Sequence, residues 1–80
     1  MKTIETIFQS VEKPELGFLI QVSEKKKTKK GEKNVHVWID EYEGGEAYLT
    51  DWDFLESFDS FGEAKQYIID NYGEIVDFEP

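Results

Sequence analysis

In two stretches of the chain, apolar residues recur at every second position. Residues 17–23 read Gly-Phe-Leu-Ile-Gln-Val-Ser, with Phe18, Ile20 and Val22 on one face and Leu19 and Gln21 on the other. Residues 34–40 read Asn-Val-His-Val-Trp-Ile-Asp, where Val35, Val37 and Ile39 alternate with His36, Trp38 and Asp40. A period of two over this length predicts a strand with one buried face. The ten residues between them, 24–33, contain no apolar side chain, which predicts an exposed hairpin loop.

Nearer the C-terminus the period lengthens. Ala64, Tyr67, Ile68 and Tyr72 recur at spacings of three and four, forming a helical stripe. Ser60-Phe61-Gly62-Glu63 matches a capping box, in which a serine hydroxyl and a glutamate three residues on satisfy the first free amides of a helix. Gly73 tolerates the positive φ that ends helices. These signals predict a helix over 61–72, and residues 74–78 then read as a short extended segment at a sheet edge.

The other segments carry weaker patterns. Glu43-Gly44-Gly45-Glu46 predicts a tight turn, with Ala47 to Trp52 returning as a strand paired to 34–41. Residues 53–59 read as an irregular or extended approach to the helix, anchored in the core by Phe54, Leu55 and Phe58. Near the N-terminus, Ile4, Ile7, Phe8 and Val11 fit a helical face, but Thr3, Ile4, Thr6, Ile7 and Val11 are β-branched and favour a strand. With a strand there, the fold is α+β. It is a small antiparallel meander of three to four strands, with one C-terminal helix packed on one face. With a helix there, the order becomes α-β-β-β-α. Either way, Ala64, Tyr67 and Ile68 are expected to cover the Phe18/Ile20/Val22 and Val35/Val37/Ile39 faces, since so short a chain has material for one core.

Size and composition narrow the chemistry. Eighty residues and 9.4 kDa fit one domain spanning 1–80. A domain of this size buries only about six-tenths of its unfolded surface. The absence of cysteine excludes a disulfide scaffold, a thiolate zinc site and a cysteine nucleophile. No run approaches the roughly 20 apolar residues of a membrane helix, and Met1-Lys2-Thr3-Ile4-Glu5 lacks the apolar core of a signal peptide. A cytoplasmic protein without a membrane partner is the expectation.

Charge is the most unusual global property. The net charge is −9, from 18 acids and 9 lysines, with no arginine. Residues 1–33 hold eight lysines and five acids, a net of +3. Residues 34–80 hold thirteen acids and only Lys65, a net of −12. An acidic body of this kind repels nucleic acid and attracts basic surfaces. Excess negative charge also keeps a small protein soluble without any other role.

Four groups of residues could carry chemistry. His36, the single histidine, reads as a half-exposed strand residue beside Trp38, with no serine singled out to join it in a triad. Asp51, Asp53, Glu56 and Asp59 gather carboxylates within nine residues but fail the EF-hand pattern. Its sixth position would be Glu56 where glycine is needed, and its twelfth Gly62 where glutamate is needed. Lys25, Lys26, Lys27, Lys29, Lys30 and Lys33 could contact phosphates. They lack interleaved aromatics for base stacking and arginine for base reading. Finally, the acids Asp40, Glu41, Glu43, Glu46, Asp51 and Asp53 flank the diglycine turn, with Trp38 and Tyr48 further along the same hairpin.

These features point away from catalysis and require no cofactor or metal. The expected function is a small acidic protein-binding module, of inhibitor or adaptor type, whose partner has a basic surface. In its strongest form the carboxylates imitate nucleic-acid charge. The alternative is a nucleic-acid-binding module that uses the Lys25–Lys33 loop.

Overall fold

β-Branched and aromatic residues dominate the extended segments, and the chain pairs them into one antiparallel sheet. The computed structural model describes residues 3–23, 33–41 and 52–78. Along the chain these form β1 (Thr3–Ser10), β2 (Leu16–Ser23), β3 (Val35–Glu41), β4 (Asp53–Phe58), α1 (Phe61–Tyr72) and β5 (Ile75–Asp77). The sheet order is β4-β3-β2-β1-β5.

The N-terminal segment is a strand, so the α-β-β-β-α order does not apply. β1 runs antiparallel to β2 from Thr3↔Ser23 to Gln9↔Gly17. Ser10 closes the connection to β2. Its hydroxyl accepts from the Lys13 amide at 3.0 Å, and the Leu16 amide donates to the Lys13 carbonyl at 2.9 Å. At the other end of β2, the Ser23 amide donates to the Asn34 carbonyl, and Asn34 Nδ2 donates back to the Ser23 carbonyl at 2.9 Å. Asn34 thereby fixes the base of the lysine-rich segment.

Two features differ from the sequence expectation. The neighbour of β3 over Val35–Ile39 is Asp53–Phe58, not the 47–52 segment. Residues 42–51, including the diglycine turn, lie outside the described residues. The supposed approach to the helix is thus a strand, with a register shift between Val37 and Trp38. Val37 faces Glu56 and Trp38 faces Phe54, which leaves Leu55 as the extra residue of a bulge. The second difference is the strand count, five where three to four were expected: the extended segment expected at a sheet edge is β5, which pairs with β1 through Phe8↔Asp77 and Ser10↔Ile75. Bonds from Val11 N–H to the Glu74 carbonyl (2.9 Å) and from Phe78 N–H to the Ile7 carbonyl (3.0 Å) extend that pairing at both ends.

α1 carries the chain from one edge of the sheet to the other. Its twelve residues make it about 18 Å long, comparable with the ~19 Å spanned by four inter-strand spacings. Ser60 caps it in extended conformation, accepting from the Glu63 amide at 3.2 Å. The Ser60 hydroxyl also donates to the Glu63 carboxylate. Gly73 ends the helix at φ 92°, ψ −169°, with its amide bonded to the Ile69 carbonyl at 2.9 Å. The φ is positive as the sequence suggests, but ψ is extended, so the chain turns directly into β5.

The core lies between α1 and one sheet face. Phe8, Phe18, Ile20, Val35, Val37, Ala64, Ile68 and Ile75 are buried there, with Val22, Ile39, Leu55, Phe58 and Tyr67 packed around them. Helix and sheet interlock through aromatic contacts, Phe18 with Tyr72 at 4.9 Å and Phe58 with Tyr67 at 5.2 Å between ring centroids. No helix among the described residues is long and apolar enough to cross a membrane.

Candidate functional site

A strand with one face on the helix presents its alternate residues on the other face. Strand register therefore assembles the helix-free face row by row. Ile7 pairs with Leu19, Leu19 with Trp38, and Trp38 with Phe54, giving an apolar row across four strands. Glu5, Gln21, His36 and Ser57 form the adjacent polar row by the same pairings.

From Leu19, exposure along the apolar row rises toward the β4 edge. Leu19 is 6% exposed although no helix covers it, Trp38 is half-buried, and Phe54 is 52% exposed. The Trp38 and Phe54 rings meet edge to face, with centroids 5.2 Å apart and planes at 73°, a geometry favoured by the ring quadrupoles. The Trp38 indole N–H is buried and has no hydrogen-bond partner among the described residues. Phe54 was expected in the core with Leu55 and Phe58, and the structure corrects this. The bulge at Leu55 turns Leu55 toward the core while Phe54 remains opposite Trp38.

The polar row is held by direct hydrogen bonds. Gln21 Nε2 donates to Glu5 Oε2 at 3.0 Å. His36 Nδ1 lies 2.7 Å from Ser57 Oγ. Sequence spacing did not single out Ser57, because only the β3–β4 register brings it to the histidine. A nucleophilic triad would need a carboxylate on the imidazole. The carboxylate of this row, Glu5, is held by Gln21 on the far side.

Among the acids foreseen as a partner surface, three are gathered and the rest lie outside the described residues. Asp40 and Glu41 end β3, and Asp53 opens β4 opposite Ile39, so all three stand at one end of the β3–β4 pair. Asp40 Oδ1 accepts from the Glu41 amide at 2.7 Å. Glu43, Glu46, Tyr48 and Asp51 fall in the undescribed segment, and the residue opposite Trp38 is Phe54. Lys25, Lys26, Lys27, Lys29 and Lys30 are likewise outside the described residues, whereas Lys33 is exposed just before β3. Asp53, Glu56 and Asp59 are strung along β4 and its end. No group of three or more metal-ligating side chains converges among the described residues.

Comparison with known protein families, curated proteins and solved structures returned no match to this chain.

Proposed function

We propose that this chain is an acidic protein-binding module, without catalytic activity, that docks the helix-free face of its sheet on a basic surface of a partner protein. The Trp38–Phe54 pair carries this reading. It offers a half-exposed aromatic at the rim of a face not covered by the helix, in a chain of net charge −9. Desolvated aromatics hold complexes together, and charges around them mainly speed association. Asp40, Glu41 and Asp53 stand at the end of the same strand pair, which suits them to the second role. In the strongest form of this reading, these carboxylates and those of residues 43–51 stand in for a phosphate backbone and occupy a nucleic-acid-binding surface on the partner.

Affinity capture at low salt tests the proposal, with the unaltered chain, a Phe54→Ala variant and a variant neutralised at Lys25, Lys26, Lys27, Lys29 and Lys30. The expected result is a basic protein that is retained by the lysine variant and lost by Phe54→Ala. Capture of DNA or RNA that weakens steeply with salt and disappears with the lysines would overturn it in favour of nucleic-acid binding.

A further inference from the structure

Among the described residues β4 is the terminal strand of the sheet, and nothing there pairs with its outer edge. Its six residues suffice for an added strand of ordinary length. The edge is divided by chemistry. Asp53 and Glu56 stand opposite Ile39 and Val37, on the helix side, while Phe54 stands opposite Trp38 on the helix-free side. The Ser57 amide donates to the carboxylate of the preceding residue, Glu56 Oε1, at 3.1 Å. That bond is exposed and local, so an incoming carbonyl can replace it at little net cost.

We propose that this edge receives an extended segment of the partner protein as a sixth strand, with lysine or arginine alternating with apolar residues. This rests on the protein-binding reading and specifies its mode. Basic side chains of the added strand would meet Asp53 and Glu56, and its apolar ones would extend the Leu19–Trp38–Phe54 row. Main-chain bonds supply affinity in strand addition, and alternate side chains supply selectivity. The same carboxylates explain why a second copy is not the occupant. Carboxylates on an edge strand discourage pairing with a like-charged strand, and two chains of net charge −9 repel.

Hydrogen exchange resolved by residue, on the full chain, tests this with three ten-residue peptides. One alternates lysine and valine, one alternates glutamate and valine, and the third is the first with two internal valines replaced by proline. The lysine–valine peptide should slow exchange of the Phe54 and Ser57 amides at least tenfold. The glutamate peptide should have no effect, and the proline peptide should bind at least tenfold more weakly. Trp38 fluorescence that responds to the lysine peptide while β4 exchange stays unchanged would overturn strand addition and leave the docking face standing. Slowed β4 exchange, with an affinity indifferent to Phe54→Ala, would support strand addition and remove the aromatic anchor. Equal binding of the glutamate peptide, no response to any peptide at millimolar concentration, or protection that grows with protein concentration alone would each overturn the proposal.

Discussion

Replacing Gly73 with alanine should destabilise the fold by about 1–3 kcal/mol, because its backbone lies where essentially only glycine is at ease. Among the described residues it is the one glycine with positive φ, at 92°, and its ψ of −169° directs the chain from α1 into β5. A Cβ built there would also fall on the Glu12 carboxylate, with Glu12 Cδ at 3.0 Å. Glu12 is exposed and its side chain can swing aside, so the steric contribution should be small beside the backbone strain. For a domain of this size, each kcal/mol moves the melting temperature by about 4–8 °C. Urea melts followed by tryptophan fluorescence should show a lower midpoint with an unchanged slope. The double variant Glu12→Ala/Gly73→Ala separates the two causes. It should remain as unstable, relative to Glu12→Ala, as Gly73→Ala is relative to the unaltered chain. Full recovery in the double background would show that the Glu12 collision carries the cost. An unchanged midpoint in the single variant would refute the φ argument.

Three further substitutions probe other parts of the structure. Ile68 is completely buried between helix and sheet, so Ile68→Ala should cost about 2–5 kcal/mol in a thermal melt. Ser60→Ala removes the helix cap and should cost about 1 kcal/mol; chemical denaturation checks it. Phe54→Ala should weaken partner binding by about 30- to 150-fold in titration calorimetry. An aromatic side chain buries roughly 150–250 Å², about half of which is exposed here. At ~25 cal/mol per Å² that is about 2–3 kcal/mol.

Legibility in the sequence followed the range of the interactions. β2 and β3 were readable because Phe18, Ile20 and Val22, and Val35, Val37 and Ile39, recur at every second position on the core side, even though Leu19 and Trp38 add apolar residues on the opposite face. α1 was readable to its ends because Ser60, Glu63 and Gly73 are local signals. β4 was not, since the bulge sets Leu55 and Glu56 side by side against Val37 and breaks the alternation in Asp-Phe-Leu-Glu-Ser-Phe. The place of β5 was hidden for a different reason. Ile75-Val76-Asp77 reads as extended, but its partner is some 65 residues earlier and no local pattern specifies it. The candidate site shared this fate. Trp38, Asp40 and Glu41 lie close together in the sequence, whereas Asp53, Phe54 and Ser57 are set beside β3 only through the β3–β4 register.

The docking face is tested most directly by crosslinking at its rim. Phe54→p-benzoylphenylalanine places a photoreactive ring where the half-exposed aromatic stands, and the same substitution at Gln66, exposed on α1, serves as control. On irradiation in the native cell, the ring at position 54 should join the chain to a basic protein, and the ring at position 66 should not. Crosslinks from position 66 to the same protein, with none from position 54, would place the partner on the helix side and contradict the account.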